Sequence, residues 1–291
     1  MSVRASTAPG VRDAAGGRLL IVATAFLWSL AGVFIKFLDL PPLTIVFYRG
    51  LFAALVFTPF LGRKDWRIDR PILISVITYT EAISAFVSAN KLTTAANAIV
   101  LQYTAPFFVF LFSGLVVRER ISRLNGFTLA ASMIGVAVIF LGSAGEPDMV
   151  GVLLALLSGV LFAAYMINLR RTHAVSPVYL TWINNVVCAL MLLLVVKSQL
   201  GLTSMQLGIV AVMGAVQLGL PYFLFSKGLQ TVPLQEASLI ALIEPVINPL
   251  WVVLTVGEIP SFATLAGGGL IVAALAVRYL WPLPGESAQA A

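Results

Sequence analysis

KLTTAANAIVLQYTAPFFVFLFSGLVVRERISRLNG, residues 91–126, and GLQTVPLQEASLIALIEPVINPLWVVLTVGEIPSFATLAG, residues 228–267, are two versions of one pattern. Each opens on small and polar residues and continues into an apolar run interrupted by a proline, Pro106 or Pro245. A glutamate follows thirteen residues later, Glu119 or Glu258, with a glycine soon after. A helix needs about 20 apolar residues to cross a hydrocarbon core of roughly 30 Å, where its backbone must satisfy its own hydrogen bonds. Both runs have that character, so the pattern reads as a duplicated membrane segment.

Working outward, the match loosens but keeps its order. FLWSLAGVFIK from Phe26 parallels VLFAAYMINLR from Val160, which pairs Trp28 with Phe162 and Lys36 with Arg170. Ten apolar runs can be drawn. Gly17 to Phe37, Thr44 to Leu61, Pro71 to Ala89, Ala95 to Val117 and Leu124 to Leu141 make the first half. Val150 to Leu169, Val178 to Val196, Met205 to Ser226, Leu234 to Val256 and Ala263 to Trp281 make the second. The expected organisation is a tail at 1–16, one transmembrane repeat at 17–145, a second at 146–283 and a tail at 284–291. Five helices is an odd number, so the second repeat starts on the side where the first ended and the two are inverted. Inverted repeats offer two arrangements of similar energy, open to either side, as alternating access requires.

Composition agrees. Of the 291 residues 60% are hydrophobic and 10% charged, against about 25% charged in an ordinary soluble domain. The net charge of +6 sits in short clusters between apolar runs, so it reads as a membrane-orientation signal and not as a nucleic-acid surface. Arg63, Lys64, Arg67 and Arg70, then Arg118, Arg120 and Arg123, then Arg170 and Arg171 fall on the side of the amino terminus. Asp39, Lys91, Glu146, Asp148, Lys197 and Glu258 fall on the other. Both termini are therefore expected in the cytoplasm of a bacterial inner membrane, the plasma membrane. The first apolar run is too long for a signal peptide and is expected to be retained.

At this point the chain resembles the drug/metabolite transporter superfamily and, within it, the EamA-type exporters of ten helices. The resemblance rests on the two stretches quoted first, with Pro106, Pro245, Glu119 and Glu258, and on Arg49 in FYRGLF. It is nearest to the bacterial exporters of aromatic and other amino acids called YddG. The resemblance implies an all-α membrane protein in which the first, third, fourth, sixth, eighth and ninth helices surround a central cavity. The fifth and tenth pack outside, which makes Gly135 and Gly267 to Gly269 close-packing points. The implied activity is export of small metabolites by a secondary transporter or facilitator, with amino acids such as threonine, methionine and phenylalanine as the expected cargo.

Candidate site residues follow from position. Proline inside a membrane helix frees the carbonyl four residues earlier, and paired interruptions point to a transporter's binding site. Pro106, Pro221 and Pro245 are the hinge or kink candidates. Asn97 lies on the fourth helix, while Ser238 and Asn248 share a stripe of the ninth that Glu244 adjoins. Ionisable residues inside a membrane are costly, so Glu81 and Glu244 are the proton-site candidates, and Glu244 could instead meet an amino group. Trp28, Tyr79, Tyr103, Tyr165 and Tyr222 supply aromatic surface, joined by Ser84 and Gln217, and suit a neutral or aromatic ligand. Arg49 reads as a structural clamp nearer the outer interface, and Glu119 and Glu258 as helix caps.

The remaining residues argue against other chemistry. No GxxxxGK[ST] loop is present, so ATP hydrolysis is not expected. The lone Cys188 reads as packing and His173 as a solvated loop residue, and no metal-ligand cluster or Ser/His/Asp set can be built. No cofactor, metal or nucleic-acid partner is expected; the partners are a small molecule and membrane lipid, and a monomer is compatible. A membrane-embedded enzyme would need Glu81 or Glu244 for acid/base work. A channel would need a ring of charges or carbonyls, which no segment declares.

Overall fold

The computed structural model describes residues 11–62, 66–105, 107–109, 111–112, 123–142, 149–169, 171–172, 175–228, 230–232, 237 and 240–280. Every regular element among them is helical. The first apolar run forms α1 (Val11–Ser29) and α2 (Ala31–Phe37), and the second forms α3 (Pro42–Phe57) with a 3-10 turn at Thr58–Phe60. Then come α4 (Arg70–Leu92), α5 (Ala95–Gln102), α6 (Arg123–Gly142), α7 (Met149–Leu169) and α8 (Pro177–Val196). α9 (Ser204–Val212) continues through a π-helical stretch, Met213–Gly219, into α10 (Leu220–Gly228), before α11 (Ile243–Val256) and α12 (Phe262–Leu280).

Among the described residues, six helices are long and apolar enough to cross a membrane: Ala15–Phe37, Pro42–Phe60, Arg70–Leu92, Met149–Leu169, Pro177–Val196 and Ser204–Gly228. Shorter apolar helices cover Ala95–Val109, Gly126–Gly142, Ile243–Val256 and Phe262–Val277. Their ends carry the expected chemistry. The Asp69 side chain accepts from the Ile72 N–H at 3.0 Å and caps α4, while Pro71 needs no donor there. That backbone hydrogen bond, helped by the side chain of Arg67, holds the Asp69 carboxyl below the usual carboxylate range. A depressed folded-state pKa makes the cap's contribution present at neutral pH and lost as the pH falls through it. Thr94 caps α5 through the Asn97 N–H at 3.0 Å, and Thr203 with Gln206 forms a capping box at α9.

Packing is set by partner helices from opposite halves of the sequence. α4 lies along α7, α1 against α10, α3 against α8, and α6 against α12; α5 also packs on α7, and α11 on α1 and α2. Lipid supplies no hydrophobic drive between helices, so close contact and hydrogen bonds must hold these pairs. The α6–α12 pair shows how close: a Cβ added at Gly135 would stand 2.6 Å from the Gly267 carbonyl oxygen, and one at Gly267 would stand 2.5 Å from that of Gly135. Gly268 faces Val100, whereas Gly269 faces open space, so the glycine run contributes two packing points and not three. The outer surface is apolar, with Leu141, Leu194, Leu254 and Phe262 all largely exposed, the surface a hydrocarbon solvent covers.

Candidate functional site

Polar side chains gather where α1, α3, α4, α7, α8 and α10 converge. The first set is aromatic. Trp28 of α1 packs edge-on to Tyr222 of α10 at 5.1 Å between ring centroids; Tyr222 meets Tyr79 of α4 at 5.5 Å; Tyr79 meets Tyr165 of α7 at 5.6 Å. Phe162 stacks on Tyr165 at 6.0 Å and ends the chain of rings. Two neighbouring asparagines of α8 hold it in place. Tyr79 donates its hydroxyl to Asn185 Oδ1 at 3.1 Å, and the Asn184 amide donates to the Tyr165 hydroxyl at 3.3 Å while accepting from Ser75 at 3.0 Å. Such bonds satisfy phenols that would otherwise be buried without partners.

Arg49 is the buried charge of this cluster. It sits in the middle of α3, 2% exposed, and not toward an interface as its place in the sequence suggested. Its Nη2 donates to Gln217 Oε1 at 3.2 Å, and the Gln217 amide donates on to the Trp28 carbonyl at 3.4 Å. Gln217 reaches this position because it lies in the π-helical stretch. Pro221 withholds the N–H that an α-helix would return to the Gln217 carbonyl, and the wider turn accommodates the loss. Gly214 brings that stretch against α3: a Cβ there would stand 2.5 Å from the Arg49 carbonyl oxygen. Replacing Gly214 with valine should separate the two helices and break the Arg49–Gln217 bond, seen as a lower melting temperature of the detergent-solubilised protein; an unchanged melting temperature would show that the close approach is dispensable.

A second set surrounds the start of α11. Pro245 cannot donate to the Ala241 carbonyl, and the freed oxygen faces the Tyr103 hydroxyl at 2.8 Å. The same hydroxyl lies 2.8 Å from Glu244 Oε2, so a buried carboxyl and a freed carbonyl converge on one phenol from the other half of the chain. Three residues on, Asn248 is 0% exposed and neither atom of its amide has a hydrogen-bond partner; it faces Gly32, where a Cβ would stand 2.7 Å from its Oδ1. The indole N–H of Trp28 and the hydroxyl of Ser84 are likewise buried without partners. Tyr222 lies within electrostatic reach of both Arg49 and Glu244.

The other candidates fall elsewhere. Asn97 binds Thr93 at 3.0 Å and accepts from Thr264 at 2.6 Å, at the end of the bundle away from the amino terminus. Glu81 lies on the exposed edge of α4 with Leu73 and Ile77, without a bond or ring contact to the cluster, so it is not the interior acid that its mid-span position suggested. Ser238 and Pro106 lie outside the described residues, as do Glu119 and His173. Pro221 is buried, and its carbonyl accepts from Thr24 at 3.2 Å. Trp182 bonds Thr58 at 3.1 Å and packs on Trp66, away from the cluster. Cys188 is buried near Gly50, as packing requires. Reading the sequence missed Asn184 and Asn185; two adjacent amides inside the apolar run of α8 were the available signal.

One end of the bundle is tied across its halves. Lys36 of α2 pairs with Glu258 at 2.6 Å and donates to the Thr93 carbonyl at 2.7 Å. The other Glu258 oxygen accepts from the Ala95 N–H at 2.6 Å, at the amino end of α5. Glu258 thus caps a helix, as expected, but the helix belongs to the first half. Lys91 also donates to the Leu38 carbonyl in the same layer.

The model of the EamA-like transporter family matches residues 15–141 and again residues 149–280. An uncharacterised transporter of Archaeoglobus fulgidus is 27% identical over 90% of this chain and 96% of its own. The pseudopaline exporter CntI of Pseudomonas aeruginosa is 27% identical, over 89% and 94% of the two chains. A biotin transporter of Salmonella typhimurium is 24% identical, over 94% and 96%. A solved crystal structure with 19% identity superimposes with a TM-score of 0.68, covering 90% of this chain and 96% of the other, and shares the fold.

Proposed function

The chain belongs to the EamA-like transporter family, and from that premise we propose that it is a secondary transporter or facilitator that exports amino acids with neutral or aromatic side chains by alternating access. Multi-pass membrane transport is the family's activity; the cargo, the direction and the mechanism are this proposal. The observation that carries it is the convergence of helices from both halves on one polar, aromatic cluster, with Tyr103 bound to Glu244 and Arg49 to Gln217. Rings of Trp28, Tyr222 and Tyr79 offer an apolar face, and Glu244 offers a carboxyl to an amino group or a proton.

The helix pairing supports two inverted repeats of five. Exchanging the first helix with the sixth, the third with the eighth and the fourth with the ninth turns the α4–α7 contact into α10–α1, and the α5–α7 contact into α11–α1. The pairs α3–α8 and α6–α12 map onto themselves. A bundle with that symmetry can exchange the roles of its two ends. Arg49 and Tyr79 are almost wholly buried, with the rings packed together, and this supports reading the arrangement as the closed one. In the proposed orientation both termini are cytoplasmic, so the Lys36–Glu258–Ala95 tie closes the outer end in an inner membrane.

Purified protein in liposomes should take up labelled methionine, threonine or phenylalanine with saturation and counterflow. Absence of uptake for all three removes the amino-acid assignment. The names of the pseudopaline and biotin relatives favour a second reading, a carrier of a different small metabolite, which the same assay tests with a wider panel. Replacing Lys36 with Met should loosen the outer closure. The pair is partly exposed and worth about 1 kcal/mol or less by itself, so the expected effect is a several-fold rise in labelling of a cysteine placed at Asn248 from that side. Unchanged labelling would show that the tie does not gate.

A further inference from the structure

Arg49 is unusual for what it lacks. A guanidinium carries five N–H donors and does not give up its proton inside a protein. Here one nitrogen, Nη2, is hydrogen-bonded to Gln217, while Nε and Nη1 are buried and have no partner. Burying a cation in this way is costly unless an anion and further hydrogen bonds accompany it. Of the described acids, Glu258 is held by Lys36 and Ala95, Asp69 by Arg67 and Ile72, and Glu244 by Tyr103, while Asp39 and Glu81 are exposed. None forms an ion pair with Arg49, and among the described residues the ionisable groups within its electrostatic reach are Tyr79, Tyr222 and Cys188, which are neutral as ordinarily protonated.

We propose that the guanidinium of Arg49 is the binding point for a substrate carboxylate, so that the cargo is an organic acid bearing an apolar or aromatic group. This rests on the reading of the cluster as the transport site. Gln217 occupies one Nη2 hydrogen, so one two-point edge of the fork remains whole: the other Nη2 hydrogen with either Nε or Nη1. A planar carboxylate fits that edge with two parallel hydrogen bonds. A single cation, with no second one in its reach among the described residues, suits a monoanion better than a phosphate dianion. Around it, Tyr79, Tyr222 and Trp28 supply the apolar walls. For an α-amino acid, Glu244, which also lies within electrostatic reach of Tyr222, is the group left to meet the ammonium. Gln217 is then a positioning residue, holding the guanidinium against the Trp28 carbonyl.

The test compares each acid with its amide. Methionine and phenylpropionate are set against methioninamide and phenylpropionamide, with binding read by Trp fluorescence of the detergent-solubilised wild-type protein and uptake read in liposomes. The expected result is that the acids bind roughly ten- to hundredfold more tightly than the amides, the range that a charge-assisted hydrogen bond supplies. Arg49→Lys should keep part of that preference and Arg49→Gln should erase it. Equal affinity for acid and amide in the wild type overturns the proposal without need of any variant, and so does an unchanged preference in folded Arg49→Gln. Tight Arg49-dependent binding of phenylpropionate without uptake of any amino acid would defeat the amino-acid cargo and leave the carboxylate site standing.

Discussion

Glu244→Gln in liposomes is expected to transport at about one-tenth of the wild-type rate or less, the factor that roughly 1.4 kcal/mol represents, while inserting and folding normally. The amide is nearly isosteric and can still accept from Tyr103 through its oxygen, so the contact at 2.8 Å survives. What it removes is the ability to take up a proton or to hold a charge opposite an ammonium group. Glu244 is buried at the start of α11, beside a carbonyl freed by Pro245, where a neutral structural acid would tolerate the amide with little loss. The pH profile separates the two roles. If Glu244 changes protonation during the cycle, wild-type uptake varies with pH and the Gln variant flattens that variation. Equal rates, with the same pH dependence in both proteins, would reduce Glu244 to packing. Tyr103→Phe supplies the companion measurement, because it leaves the carboxyl present and removes the phenol that bridges to the Ala241 carbonyl. Its effect on rate should be smaller than that of Glu244→Gln, since the charge-bearing group remains.

The parts of this site that the sequence showed are those whose physics is local. Pro245 withdraws a donor from the Ala241 carbonyl wherever the helix goes, and Tyr103 supplies the replacement. Aromatic residues in mid-span were candidates for the interior, and Trp28, Tyr79, Tyr165 and Tyr222 do meet. The failures share a cause. In lipid the outside of a helix is as apolar as the inside, so the amphipathic stripe that orients a soluble helix disappears. Glu81 therefore looked interior, although Leu73 and Ile77, at helical spacing before it, place its edge of α4 outside the packed core. Arg49 was misplaced in the opposite sense: six residues into its apolar run it looked interfacial, but Gly214 draws the π-helical stretch over it. The break at Leu30 had no proline to announce it. There Ser29 donates back to the Phe26 carbonyl at 2.6 Å and accepts from the Trp251 indole at 3.1 Å, a tertiary contact that sequence reading does not supply.

Gly267→Val should have the largest effect on the folded protein. Its added side chain would begin 2.5 Å from the Gly135 carbonyl oxygen and 2.8 Å from Ile139, the first being backbone that no rotamer change can move. Overpacking of a close interface costs about 1 to 3 kcal/mol, occasionally more, and marginal stability makes that enough to lower the amount of folded protein several-fold. The contact lies between α6 and α12, the pair that occupies corresponding places in the two halves and stands apart from the aromatic cluster. The defect should therefore appear as a lower melting temperature and reduced yield in detergent, with the KM of the surviving protein unchanged. Gly135→Val meets the same wall from the other helix at 2.6 Å and should behave alike. Gly269→Val is the internal control: nothing lies within 4 Å of its added Cβ, and a β-branched residue in a membrane helix facing lipid is well tolerated. If Gly267→Val melted like wild type while altering KM, α6 and α12 would belong to the moving machinery of transport and not to the frame that holds it.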